Sequence, residues 1–297
     1  MFKRISDGVR YIILGLFFPL SLIFIFLVFP IIYGIYLSFL KLDIHNPQLM
    51  WQFIGIGNYL KVFSSYYFEY SMIQTFLFCL AVIPIIILGS LSISLLLFQK
   101  NFRLAPSLQA IILIPWAIPY VVNASMWRWI FDANYGFVNS VLYQLGIIKN
   151  YQAWLGDTWS AFGICILAYI WTELPFCVLL FFARLQSLPI DIYEQSLVDG
   201  AGVWLRFKEV YLVWLKPILF VVSVWTTLRA ISAFDLIYVI TGGGPADFTA
   251  FISFFIYRET FVFLDFGAGA ALSAFIAVLG FVLVILYYKS IKFVRLR

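Results

Sequence analysis

Charge is what this sequence has least of. Asp, Glu, Lys and Arg together make up 11% of its 297 residues, against roughly a quarter in an ordinary soluble domain. Histidine occurs once, at His45, and cysteine three times, at Cys79, Cys165 and Cys177, with no CxxC spacing. That inventory argues against a His/Cys metal site, and the cysteines read as small packing residues within apolar segments. No GxxxxGK[ST] phosphate loop, HExxH or GxSxG occurs. The chain is therefore expected to be no enzyme, to power nothing by its own nucleotide hydrolysis, and to need no cofactor or metal.

What it has instead is apolar length. Hydrophobic residues make up 64% of the chain, more than a soluble fold of this size can hide from water. Lipid removes that limit but requires every backbone polar group to be satisfied internally. The apolar runs extend over roughly 20 to 28 residues without strict alternation, the length of a spanning helix and not of a barrel strand. Six are expected: Tyr11–Leu40, Ser71–Phe98, Ser107–Ile130, Trp159–Arg184, Trp214–Ile240 and Phe266–Tyr288. The first reads as a retained anchor, being far longer than a secretory signal core and lacking a small-residue cleavage site. Prolines at 19, 30, 84, 115, 119 and 175 interrupt several runs, which membrane helices tolerate where neighbours re-satisfy the freed carbonyls.

Six spans put both termini on one side. Thirteen Lys and Arg fall on that side, including Lys3, Arg4, Arg10, Lys100, Arg103 and Lys289, and five fall on the other, with Arg229 inside a span. The positive-inside rule then places both termini and the loop between spans four and five in the cytoplasm. The same bias accounts for the net charge of +5 without invoking nucleic acid. The expected class is an all-α membrane protein of six transmembrane helices in the cell membrane. A tail at 1–10 precedes the membrane domain at 11–288, and a basic tail follows at 289–297. The outer edges are rich in Trp and Tyr (Trp51, Tyr59, Tyr66, Tyr67, Trp127, Trp129, Trp154, Trp159), read as an interfacial belt.

The longest inner loop, 187–213, carries Asp191, Glu194, Asp199 and Glu209. Good helix formers over 190–198 are followed by Gly200 and Gly202, which permit a left-handed or sharply bent backbone, and then by a second amphipathic stretch, 203–212. A short surface helix with acids on one face suits either docking into a groove of a soluble partner or a plain amphipathic connection. The order Glu194-Gln195-Ser196-x-x-Asp199-Gly200-Ala201, with Val210-x-Leu212 beyond it, resembles the EAA loop of ABC-importer permeases of the binding-protein-dependent sugar type. The stretch Phe234-Asp235-Leu236-Ile237-Tyr238-Val239-Ile240-Thr241-Gly242-Gly243-Gly244-Pro245 resembles the segment closing the fifth span in the larger permeases of that family, and Ile114-Pro115-Trp116-Ala117-Ile118-Pro119 also fits. Gln195, Ser196 and Val213 depart from it, standing where two alanines and a proline are common.

The resemblance implies a coupling helix between spans four and five. Glu194 would pair with a cation of an ATPase, Asp199 and Gly200 would shape the turn, and Ala201 and Gly202 would complete it. It also implies partners: a second homologous permease, two ATPase subunits, an external binding protein and a sugar, in a lipid membrane. ATP binding would tilt the spans from inward-open to outward-open.

Ionisable groups inside spans are costly and usually functional; here they are Glu173, Arg229 and Asp235. Tyr169, Thr172, Glu173 and Phe176 share one face of span four, and Thr226, Arg229, Ala230 and Ala233 share one face of span five. Tyr120 and Asn123 of span three can join them. Hydroxyls, an acid, a guanidinium and aromatic faces match a sugar, and the resemblance points to the same faces. Glu173 and Arg229 either contact substrate or simply pair to hold two helices. A glycerol phosphodiester is the alternative substrate, disfavoured by the single intramembrane cation. Asp235 reads as structural, and the three-glycine loop as an outer turn or a binding-protein contact. Two rivals stand beside this reading, an intramembrane enzyme centred on Glu173 and a proton-coupled transporter. The first lacks a catalytic constellation and the second lacks internal repeats.

Overall fold

The computed structural model describes residues 15–44, 47–98 and 105–291. His45 and the basic residues Lys3, Arg4, Arg10, Lys100, Arg103, Lys292, Arg295 and Arg297 lie outside them. The described residues are almost wholly helical: α1 (Gly15–Leu37), α2 (Gly57–Phe63), α3 (Tyr66–Leu97), α4 (Ala105–Ala117), α5 (Tyr120–Ile130), α6 (Phe137–Gln144), α7 (Thr158–Gln186), α8 (Ile190–Val198), α9 (203–231), α10 (Asp235–Ile240), α11 (Ile252–Tyr257) and α12 (Phe266–Ser290). One small antiparallel pair, β1 (Leu40–Lys41) with β2 (Gln52–Phe53), sets Leu40 opposite Phe53.

Five helices or helical runs are long and apolar enough to cross a membrane, and α4 with α5, counted together as one bent span, brings the number to six. That third span differs from the expected continuous helix, because α4 and α5 meet at 91°. Pro119 causes the break: it removes a donor and pushes the preceding Ile118 out of the helical region, and Pro119 itself is extended (φ −55°, ψ 139°). The fifth span also stops early. Its helix ends at Ile231, and Asp235 opens the separate short α10, where an acid in the first turn suits the helix dipole.

The described residues form two compact units, one drawn from those up to Ser65 together with Ile256–Val278, the other from those between Tyr66 and Phe255 together with those from Leu279 on. In the first, none of the residues of α1 is buried. A π turn at Phe24–Val28 ends two residues before Pro30 and widens the helix over the carbonyl of Phe26 that the ring would strike. Buried Asn58 donates to the carbonyls of Ser38 and Leu40, each at 2.8 Å. Asp265 caps α12 by accepting from the Ala268 N–H at 2.9 Å and takes the Lys61 ammonium at 2.5 Å. Burial works against the Lys61 charge. The bond to Asp265 and the charges of Asp265, Glu259 and Asp43 outweigh it and hold that ammonium above its ordinary range. Glu259 is pushed the other way for a carboxyl: burial raises it, with Asp265 adding to the effect.

The second unit is built on α3 against α7, with α9 and α10 completing the core. Lipid tails are as apolar as leucine, so packing and hydrogen bonds specify the contact more than hydrophobicity does. Phe78 of α3 is fully buried, edge-on to Tyr169 with ring centroids 5.1 Å apart and tilted on Phe251 at 4.5 Å. Such aromatic pairs contribute about 0.5–1.5 kcal/mol each beyond their burial. Hydroxyls of α3 turn back on their own helix and, at Ser94, also reach α7, while the buried Gln74 side-chain oxygen finds no partner among the described residues. Thr75 donates to the Ser71 carbonyl at 2.7 Å, and Ser94 lies 2.7 Å from the Ser90 carbonyl and 2.9 Å from that of Val178 on α7.

Candidate functional site

The loop 187–213 holds the acidic helix expected there. Within α8, Tyr193 and Ser196 face inward, while Glu194 and Gln195 are exposed, as is Asp199 beyond its end. The helix ends in a reciprocal pair of backbone bonds: Gly200 N–H to the Leu197 carbonyl at 3.1 Å, and Ala201 N–H to the Ser196 carbonyl at 3.0 Å. This closure needs a left-handed residue after the cap, and Gly200 supplies it at φ +72°. Gly202 does not share that role, contrary to the expectation of a left-handed or bent backbone at both glycines: it is extended (φ −65°, ψ 168°) and precedes α9. No heavy atom stands within 4 Å of a Cβ built at either glycine, so the constraint at Gly200 is one of backbone angle and not of space.

Apolar side chains surround the acids. Val198 is 87% exposed and Trp204 74%, and Leu197, Val203 and Leu205 are also open. A groove of about 990 Å³ opens beside them, lined by Leu95, Phe98, Leu188, Tyr193, Trp204 and Phe207 among others. The stems of the loop are clamped in both directions. Trp214 Nε1 donates to the Arg184 carbonyl at 2.9 Å, Arg184 Nε donates to the Trp214 carbonyl at 3.2 Å, and the guanidinium lies 4.0 Å over the indole. Arg184 and Trp214 entered the sequence reading only as span ends; their pairing joins residues 30 apart and has no local signature.

The second constellation lies between α5, α7 and α9. Glu173 is fully buried, and three donors converge on its carboxylate: the Tyr120 hydroxyl and Arg229 Nε (3.3 Å) on Oε1, and Trp225 Nε1 (3.1 Å) on Oε2. Arg229 Nη2 also donates to the Tyr120 hydroxyl, and its guanidinium sits 4.9 Å over the Tyr120 ring. The Arg229 side chain remains 42% exposed. Asn123 donates to Thr172, whose hydroxyl reaches the Ala168 carbonyl at 2.8 Å. Thr226 turns back on the Val222 carbonyl at 2.8 Å, and Ala230 is a packing residue. Tyr169 is buried with its hydroxyl unpartnered among the described residues. It lines a cavity of about 30 Å³ with Tyr120, Arg229, Ser232 and Asp235, large enough for about one or two waters.

Tyr120, Asn123, Tyr169, Thr172, Glu173, Phe176, Thr226, Arg229 and Ala230 lie on these three helices, whereas Ala233, expected on the same face of span five, and Asp235 fall beyond the end of α9 at Ile231. Glu173, Arg229 and Tyr120 form one bonded cluster, and Asn123 with Thr172 forms a second; Tyr169 lines the cavity. Thr226 and Ala230 join no side-chain network. Trp225 was missed. It lies four residues before Arg229, on the same face, and its ring is tilted against Phe176 at 4.8 Å, while Trp116 stacks on Phe176 at 4.9 Å.

The fold and these two constellations define a multi-spanning membrane protein with an exposed acidic loop and a bonded polar cluster between its helices. Residues 85–295 match the family described as binding-protein-dependent transport system inner membrane component, and the chain belongs to that family. Among its relatives, the trehalose/maltose transport system permease protein MalF of Thermococcus litoralis is 36% identical over 93% of this chain and 92% of that protein. The sulfoquinovosyl glycerol transport system permease protein SmoG of Agrobacterium fabrum is 33% identical over 91% and 87%. A crystal structure of a bacterial ABC transporter involved in import of the acidic polysaccharide alginate has the same fold, with a TM-score of 0.81 at 20% identity, covering 97% of this chain and 98% of that one. The chain is thus a membrane permease component of an ABC import system that depends on a binding protein, and its work is passage across the bilayer, not catalysis.

Proposed function

We propose that the chain forms half of the translocation pathway for a carbohydrate handed over by an external binding protein, pairing with a second homologous permease and driven by two ATPase subunits. Its termini and the 187–213 loop then face the cytoplasm, between tails at 1–10 and 289–297. The observation that carries the coupling role is α8 itself, a rigidly terminated helix presenting Glu194, Asp199 and exposed apolar side chains together. Acids on such a surface meet a basic cleft, and the apolar residues supply contact area.

The substrate assignment rests on charge balance. Glu173 has its acceptors filled by the protein's own donors, so the pathway offers a neutralised pair with hydroxyl and aromatic groups around it, a lining that suits neutral sugar hydroxyls. Tyr120 and Arg229 are the members with open surface, so they contact the sugar, while Glu173 holds both through its carboxylate, Asn123 and Thr172 pair beside them, Thr226 and Ala230 pack α9, and Tyr169 offers its hydroxyl. Relatives named for transport of trehalose and maltose, and of sulfoquinovosyl glycerol, support a carbohydrate, the sulfonated one leaving the sugar's charge to be decided by uptake. A second reading follows from the open guanidinium of Arg229: an acidic glycan. The test is uptake by the assembled importer in proteoliposomes. ATP-driven uptake of neutral oligosaccharide, with purification of a second permease and a P-loop ATPase alongside, is the expected result. Preference for a uronic-acid oligosaccharide supports the second reading, and uptake driven by a proton gradient without ATP overturns both.

A further inference from the structure

The segment between α5 and α7 carries a surface that the transport reading leaves unused. Phe137 and Val141 of α6 and Leu145, the residue that caps its end, follow each other at i, i+4 and i+8, so they form one stripe. Phe137 is 68% exposed and Leu145 67%. Beside the stripe, Ser140 and Gln144 form a polar edge. The opposite side of the helix is not free to turn, because Asn139 is fully buried there and bonds the backbone of Asp132 and Gln152 and the indole of Trp154. Gly136 seats the start of the helix: a Cβ there would stand 2.4 Å from the Asp132 carbonyl oxygen and 2.8 Å from that of Ile130. The exposure of the stripe is therefore built in.

We propose that α6 lies in the outer interface of the bilayer, its Phe137–Val141–Leu145 stripe among the acyl chains and its Ser140–Gln144 edge toward water, as a lateral anchor of the permease. Three observations select lipid over a protein partner. Both ends of the segment run straight into spanning helices, so it starts and finishes at membrane level. Between Asp132 and Asp157 the sole charged residue is Lys149, a cation that suits phosphate headgroups, whereas a docking rim for a soluble protein is polar and charged. Apolar and polar halves are divided along the helix, the pattern of an interfacial helix, with exposed Tyr143 on it and exposed Tyr135 and Tyr151 to either side, the residue type enriched at headgroup depth.

This assignment rests on the proposed outward orientation of the loop, and the experiment separates the two. Nitroxide labels are placed singly at Val141→Cys and Gln144→Cys in a chain whose native cysteines are replaced by alanine. The complete importer is reconstituted in proteoliposomes of phosphatidylglycerol and phosphatidylethanolamine, after confirming ATP-driven uptake. Collision with oxygen and with a water-soluble nickel chelate is measured by power saturation. The label at 141 is expected to meet oxygen at least threefold more effectively than the chelate, and the label at 144 to show the reverse, both unchanged by saturating binding protein. A label at 141 open to the chelate overturns the proposal. So does one shielded only after the binding protein is added, which makes the stripe a protein-docking face. If chelate reaches the label at 144 only from the cytoplasmic side, the orientation fails while the lipid contact at 141 stands.

Discussion

Glu173 and Arg229 meet across two membrane helices, with Arg229 Nε 3.3 Å from Glu173 Oε1, and the Tyr120 hydroxyl bonds both of them. Three helices, α5, α7 and α9, are therefore tied at a single carboxylate. Removing one partner of a buried pair leaves the other charge uncompensated, which is where such pairs carry their largest effect.

Glu173→Gln is expected to lower stability by about 2–4 kcal/mol, below the upper end for buried pairs because Arg229 is half open. Arg229→Gln in the same chain restores part of the loss. The check is a double-mutant cycle on thermal unfolding in detergent; additive losses mean that the two residues do not support each other. Uptake reports separately on substrate contact: Arg229→Gln should raise the half-saturating sugar concentration if the guanidinium touches sugar.

Much of this cluster was legible beforehand, because the 3.6-residue period places Glu173 with Thr172 and Arg229 with Thr226 on defined faces. Which partner Glu173 chose was not, since charge attraction and sugar binding ask for the same residue types. Trp225 escaped because an indole in an apolar span looks like packing. The six spans followed from apolar length alone, yet the 91° bend at Pro119 could not, because proline inside a membrane span is compatible with a mild kink as well as with a full break. The Arg184–Trp214 clamp closes a 30-residue loop, a distance at which sequence pattern says nothing about pairing.

Gly200 and Gly202 look interchangeable in the sequence and differ in backbone. Gly200→Ala forces a Cβ into the left-handed region at about 1 kcal/mol, whereas Gly202→Ala meets neither strain nor contact. The first is expected to loosen α8 and raise ATP hydrolysis per sugar imported, and Gly200→Asp to do so more strongly; the second should behave as wild type. The measurement is the ratio of hydrolysis to uptake in proteoliposomes. Equal behaviour of the two alanine variants removes the turn from the coupling argument.

The clamp at the loop stems makes a separate claim. Trp214→Phe keeps the ring under the Arg184 guanidinium and deletes only the N–H that reaches the Arg184 carbonyl, at about 0.5–1.5 kcal/mol. Arg184→Ala removes the remainder as well. Coupling is expected to fall in the order wild type, Trp214→Phe, Arg184→Ala, with assembly retained on gel filtration. Full coupling in Arg184→Ala shows that the stems need no tie.

Around Asp265 the charges divide by pH. Glu259 has a folded pKa raised above its ordinary value by burial, with Asp265 reinforcing the shift and Lys61 and Arg258 opposing it. A raised carboxyl stabilises the fold when protonated, and that contribution is lost as pH rises through the folded value. Glu259→Gln is therefore expected to raise stability at neutral pH by under about 1 kcal/mol, read as a higher melting temperature, with the gain vanishing below the ordinary Glu range. Lys61 runs on the basic side: its raised value keeps a stabilising contribution below its ordinary pKa that fades as pH climbs through the folded one. A Glu259→Gln gain that persists at pH 3.5 contradicts the assignment.

Asn139 is the residue on which the outer segment turns. Its amide nitrogen donates to the carbonyls of Asp132 (3.0 Å) and Gln152 (2.9 Å), while its oxygen accepts from Gln152 N–H (3.0 Å) and Trp154 Nε1 (2.8 Å). No other side chain of comparable size supplies both donors and acceptor in that geometry. Asn139→Ala strands these groups at a cost of about 2–3 kcal/mol. Asn139→Asp fares no better, since a carboxylate then faces two carbonyls. Both variants are expected to speed amide exchange at Gln152 and Trp154 and to admit protease between 132 and 156, while the spans, which share none of these bonds, keep their protection. Unchanged exchange at Gln152 in Asn139→Ala shows that the α5–α7 stems hold the segment unaided.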